Sequence, residues 1–200
     1  MTPTGGSAPG ARTQLAAREL RSWPAPADRI DEQAAARAFL ASAGAAALDR
    51  DGGPEHFTAS CVVFDLDARR VLLHHHRKAD AWGQFGGHIE AADSSLRAAA
   101  LRECLEESGL TRVDWFSPAP IDLHVHGLPA AFGACRVHRD VVYGASVDAA
   151  APVSASEESL AVAWFDLEEL PENILPDLPG RLPGLFEAAH SARTVDAGRS

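Results

Sequence analysis

Residues 86–110 read GGHIEAADSSLRAAALRECLEESGL. A double glycine opens the stretch, and an alanine-rich segment of helix formers follows. Asp93, Ser94 and Ser95 supply caps for its start and Gly109 a left-handed stop, which predicts a helix over 94–108. On that helix Glu103 and Glu107 stand four apart, and Glu103 and Glu106 three apart, so the carboxylates share one face of the last turns. Alone, the clustering is unfavourable. Like charges at this spacing repel and a helix C-terminus disfavours anions, each by roughly 0.3–1 kcal/mol when exposed. A divalent cation reverses the sign, and carboxylates on a rigid helix suit Mg²⁺ or Mn²⁺. A solvated acidic face is the competing reading, and the charge pattern leaves both open. Arg102, beside Glu103 and four before Glu106, has planar donors with which to orient a carboxylate. Gly86 and Gly87 allow close approach of backbone to a ligand, and Glu90 of the same loop reaches toward the same cation.

Upstream, HFTASCVVFDLDARRVLLHHH (56–76) reads as two strands joined by a turn at Asp65 to Arg69. RKADAWGQFGGHIE (77–90) reads as a glycine-rich loop. Downstream, VDWFSP, IDLHVHGLPA, ACRVHRDVVYGASV and SLAVAWFDL are strand-like, and the end of the chain suggests a terminal helix. The segment 31–50 is rich in helix formers, and residues 1–14 are rich in Gly, Pro, Ser and Thr. Strands interleaved with a few helices imply an α+β fold layered as an α/β/α sandwich around a central sheet. The expected organisation is a disordered tail (1–14), an N-terminal helical extension (15–53), the main domain (54–192) and a tail (193–200).

The whole chain, 200 residues with 46% hydrophobic side chains, has material for one sizeable core. Its formal net charge of −10 argues against a nucleic-acid polymer as partner but leaves room for a small anion beside a cation. No stretch is apolar enough to span a membrane, and the start lacks a secretory signal. Cys61, Cys104 and Cys135 form no CxxC pair, so neither a disulfide framework nor a thiolate zinc site is suggested. A reducing, cytoplasmic setting is the simplest account. In the run His74, His75 and His76, strand alternation puts His75 on the opposite face from the other two, against a metal cluster there.

Residues 86–110 resemble the Nudix box of Nudix hydrolases, GX5EX7REUXEEXGU with U aliphatic. Gly87 matches the first glycine, Arg102 and Glu103 match RE, and Glu106, Glu107, Gly109 and Leu110 match EE, G and U. Two departures stand out: Asp93 replaces the first glutamate, and eight residues rather than seven separate it from Arg102. Cys104 takes the first aliphatic position. The resemblance runs from about His56 to Pro176 and implies a mixed central sheet.

The activity it implies is hydrolysis of the diphosphate linkage in a nucleoside diphosphate joined to another moiety, X, with Mg²⁺ or Mn²⁺ as cofactor. Glu103, Glu106 and Glu107 would be the main ligands, with Glu90 beside them. Either Glu103 or a glutamate of a later loop would act as base; Glu157 and Glu158 are the later candidates, and Glu158 is preferred. Gly86, Gly87, His88, Arg77 and Lys78 are the candidate substrate contacts. A homodimer is consistent with the resemblance. The alternatives are a non-catalytic nucleotide-binding or regulatory protein on the same fold, and an isopentenyl-diphosphate isomerase, whose cysteine context is not matched here.

Overall fold

The strand EHFTASCVVFD, β1 (Glu55–Asp65), organises the molecule. Its nine central residues are all buried, so it reads as a continuous apolar run rather than an alternating one, as a strand covered on both faces must. The computed structural model describes residues 9–128 and 134–198. The further strands are β2 (Arg70–His76), β3 (Ala81–Gly83), β4 (Phe85–His88), β5 (Trp115–Phe116), β6 (Asp122–Gly127), β7 (Val137–Ser146) and β8 (Ser159–Asp166). The helices are α1 (Pro9–Ser22), α2 (Ile30–Ala43), α3 (Leu96–Ser108) and α4 (Leu178–Ala197).

β1 pairs in parallel with β7 from Glu55↔Val137 to Phe64↔Ser146. It pairs antiparallel with β2 and β4. β8 extends the sheet beyond β2, and β6 pairs with β7. The central sheet is therefore mixed. Phe57, Ala59, Cys61 and Val63 of β1 face one core, with Leu20, Leu40, Leu96 and Cys104 from α1, α2 and α3. Val62 and Phe64 face the other, with Leu178, Leu182 and Phe186 of α4. The result is the expected α/β/α sandwich with a helical N-terminal extension. Among the described residues, no helix is long and apolar enough to cross a membrane.

The glycine-rich stretch 77–90, expected as loop, contains β3 and β4. Tertiary pairing overrides weak local propensity here. β4 lies along β1 from Thr58↔His88 to Cys61↔Phe85, and a Cβ on Gly86 would sit 2.2 Å from Ser60 Oγ and 2.8 Å from Ser60 Cα. Glycine is what lets the two backbones close up. The chain ends also differ from expectation. α1 begins at Pro9, inside the stretch read as a tail, because Ala16 and Leu20 of its far half, with Trp23 just beyond its end, bury against the core. α4 runs to Ala197, with Arg193 donating to Ser146 Oγ (3.2 Å) and to Asp67 Oδ1 (3.0 Å).

The extension also caps α3. Glu19 of α1 accepts from the backbone N–H groups of Leu96 (3.0 Å) and Arg97 (3.0 Å), and Tyr143 Oη donates to it at 3.3 Å. Ser95 accepts from Ala98 N at 2.9 Å. A carboxylate here satisfies open N–H groups and complements the helix dipole. Replacing Glu19 by Ala should therefore lower stability by about 1–2 kcal/mol and the melting temperature by roughly 2–8 °C, read by calorimetry. A melting temperature unchanged within 1 °C would show that the cap contributes nothing.

Candidate active site

The last turns of α3 present their carboxylates around the guanidinium of Arg102. Arg102 donates a fork to Asp93, Nε to Oδ1 at 3.1 Å and Nη2 to Oδ2 at 2.9 Å. Nη1 donates to Glu103 Oε1 (2.9 Å) and Glu106 Oε2 (3.1 Å), and Nη2 also reaches the His88 carbonyl (3.1 Å). These carboxylates push the guanidinium pKa further up, Asp93 first. Asp93 is buried, and its Oδ2 also accepts from Glu90 N at 2.8 Å. The longer connection before Arg102 thus leaves the aspartate–arginine pair closed, and the pair ties the glycine loop to the helix.

Glu107 is buried, with Oε2 accepting from Gly86 N at 2.8 Å. Burial foremost, then the charges of Glu103, Glu158 and Glu106, raises its pKa to about 8 against the opposing Gly86 hydrogen bond. His74 Nδ1 lies 3.7 Å from Glu107 Oε1, but burial lowers the His74 pKa to about 4. The imidazole is therefore neutral at pH 7 and offers no ion pair; its Nδ1 lies 2.8 Å from Ser159 Oγ. Glu103 is raised as well, by burial first, partly offset by Arg102 and reinforced by Glu106 and Glu158. Glu158, just before β8, is thus close enough for its charge to be felt by both helix carboxylates. Arg77 holds that loop: its backbone N donates to the Glu158 carbonyl (2.9 Å) and its Nε to the Glu157 carbonyl (3.1 Å).

A Cβ on Gly87 would lie 2.6 Å from Glu103 Oε1. The obstacle is the end of a flexible side chain, so Gly87→Ala should fold with a nearly unchanged melting temperature but displace the carboxylate. A displacement of about 1 Å lowers turnover by roughly a hundredfold. Steady-state kinetics beside a melting curve checks both halves; turnover within twofold of the parent would show that the close approach is irrelevant.

The other expected residues divide. Glu90 is exposed, with Oε1 3.9 Å from Arg102 Nη1, and its carbonyl accepts from Arg12 Nη2 of α1 at 2.7 Å. Lys78 is exposed just beyond β2. His88, expected as a substrate contact, has its ring among His56, Cys135 and His138. Burial lowers the His88 and His138 pKa values to about 4 and about 3, and neighbouring rings add to it. His75 stacks on Trp82 at 5.3 Å while His74 and His76 pair at 5.5 Å, the alternation read from the sequence.

A family model described as the NUDIX domain matches residues 54–184. The chain belongs to the NUDIX family. Comparison with curated proteins gives no significant match. Among solved structures, this NUDIX chain is similar to a NUDIX-family hydrolase from Clostridium perfringens, with 27% identity, TM-score 0.54, and 68% of this chain and 97% of that one covered. It is also similar to a MutT NUDIX hydrolase from Burkholderia pseudomallei, with 21% identity, TM-score 0.51, and coverage of 66% and 95%. A third is a bifunctional NMN adenylyltransferase/ADP ribose pyrophosphatase from Francisella tularensis, complexed with AMP and a Mn ion. That match has 18% identity, TM-score 0.50, and coverage of 80% of this chain and 49% of that one. At their identities the last two speak for the fold.

Around the active site of this NUDIX chain, sequence reasoning missed two supports. Asp93 was legible as a carboxylate at the position of the box's first glutamate, yet its fork with Arg102 needed coordinates. Glu19 carries no sequence signal at all, since it lies 77 residues before the backbone it caps.

Proposed function

We propose that this NUDIX protein is a divalent-metal-dependent hydrolase that cleaves the diphosphate linkage of a small nucleotide-derived substrate. One observation carries the reading. Buried Glu107, held by Gly86 N, stands on the same helix face as Glu103 and Glu106, while the guanidinium of Arg102 beside them is shared with buried Asp93. Hard oxygen donors short of positive charge, beside a glycine step that Glu103 approaches closely, fit Mg²⁺, with Mn²⁺ as the alternative. Glu103, Glu106 and Glu107 would hold it, joined by Glu90 of the loop. Bound there, the cation offsets charge on the phosphoryl oxygens and acidifies water.

The chain's own residues do the rest. Arg102 keeps Glu103 oriented. Gly86 and Gly87 admit the diphosphate close to the backbone. Glu158 takes the proton of the attacking water, with Glu103 as the alternative base. Arg77 steadies the Glu158 loop through its carbonyls, and Lys78 at the same strand end attracts phosphate.

The test is the full chain with Mg²⁺ and a panel of nucleoside triphosphates, nucleotide sugars, dinucleoside polyphosphates and dinucleotide cofactors. At least one should release orthophosphate or a nucleoside monophosphate, with activity abolished by EDTA and restored by Mg²⁺ or Mn²⁺. Tight binding without turnover of any member would instead assign a ligand-binding protein.

A further inference from the structure

Away from the helix carboxylates, four side chains meet at one end of the sheet. His56 is the second residue of β1, His88 ends β4, His138 is the second residue of β7, and Cys135 precedes β7 by two residues. Register brings them together: His56 is the parallel partner of His138, and Thr58, two residues on, is the antiparallel partner of His88. One nitrogen from each ring and the Cys135 sulfur all lie within 4.8 Å of one another. The ring centroids of His56 and His138 are 5.0 Å apart, and each lies 5.1 Å from that of His88. Cys135 Sγ is 3.9 Å from His88 Nε2.

A second observation points to a ligand. His56 is fully buried, and its Nδ1 lies 3.2 Å from the Gly53 carbonyl. That contact makes Nδ1 the proton-bearing nitrogen and leaves Nε2 with a lone pair. Among the described residues, no hydrogen-bond partner reaches buried His56 Nε2 or His138 Nε2. An imidazole anchored through one nitrogen to a carbonyl, with the other bare toward its neighbours, is the arrangement of a metal-ligating histidine.

We propose that His56, His88, Cys135 and His138 form a structural Zn²⁺ site distinct from the NUDIX carboxylates. Imidazole and thiolate donors select Zn²⁺ over Mg²⁺, and four protein ligands close a tetrahedral site. Such a site has ligand–ligand separations of about 3.3 Å (N–N) and 3.6 Å (N–S), so the observed cluster needs only a small contraction. His126, whose ring lies 5.4 Å from that of His138, flanks the site. Arg50 and Asp51, in the turn before β1, are opposing charges that His88 feels. The site ties β1, β4 and β7 together one residue beyond Gly87, at the residue whose carbonyl Arg102 holds. It does not depend on the substrate reading above.

The experiment is metal analysis of the full, tag-free chain after dialysis into metal-depleted buffer. About one Zn²⁺ per chain should remain in the parent and in Glu106→Gln. Retention should fall at least tenfold in Cys135→Ser and His138→Ala. Independently of variant folding, Co²⁺ added to the metal-free parent should give the absorption of a tetrahedral ion with a thiolate-to-metal charge-transfer band, unaffected by excess Mg²⁺. A parent that retains no Zn²⁺ and gives no thiolate band, or a Cys135→Ser variant with undiminished Zn²⁺ and the same cobalt spectrum, overturns the proposal.

Discussion

Replacing Glu106 and Glu107 together by Gln should lower kcat/KM with Mg²⁺ by roughly a thousandfold or more while the fold survives. A cation on a transferring phosphoryl group contributes several kcal/mol to the transition state, and each 1.36 kcal/mol is tenfold in rate. Stability should move the other way. Glu107 titrates near 8 in the folded chain against an ordinary value of 4.5. Between those values the folded chain keeps a proton that the unfolded chain loses, so stability is present below about 4.5 and declines as pH rises toward about 8. The decline amounts to a few kcal/mol at most. Glutamine has no proton to lose. In EDTA, the parent's melting temperature should therefore fall between pH 5 and pH 8, and the double variant should lack that part of the fall. Undiminished turnover in the double variant would remove these carboxylates from the metal role.

Arg102→Ala should lower stability by about 3 kcal/mol, or roughly 6–12 °C in melting temperature. The cause lies less in the lost pair than in what is left behind. The Asp93 side chain is 6% exposed and would lose the fork that compensates its carboxylate, while Glu103 and Glu106 would face each other without the guanidinium between them. Leaving a buried charge uncompensated is the expensive outcome. Adding Asp93→Asn to Arg102→Ala should therefore recover more than about 1 kcal/mol, a coupling measured by a double-mutant cycle in urea. A loss below about 1 kcal/mol for Arg102→Ala would mean that the network is solvated and contributes little. Arg102→Lys should fall between, since an ammonium cannot supply the fork.

The expectations that held rest on local periodicity. The helix 94–108 was legible because cap, alanine run and terminal glycine agree, and the structure gives Leu96–Ser108 with Ser95 and Gly109 at its ends. The hairpin at Asp65 to Arg69 was legible from two apolar runs around a polar turn. β4 was not, because FGGH has little strand propensity and is made a strand by the face of β1 it lies against. The histidine–cysteine cluster was hidden for a related reason. A search for CxxC pairs passes over Cys135 and His138, three apart, and nothing in the sequence says that His56 and His88 join them.

The sequence by itself determined the helix, the clustering of Glu103, Glu106 and Glu107 on one face with Arg102 among them, and through these the family. Helical spacing is a short-range rule, and carboxylates three and four apart share a face whatever surrounds them. Only the tertiary structure decided what those charges meet: Asp93 folded onto Arg102, Glu19 brought from α1 to the start of α3, and His88 turned to the ends of β1 and β7. Each is a contact between segments far apart in the chain or across a loop. Their geometry follows from packing and strand register, which no local pattern encodes.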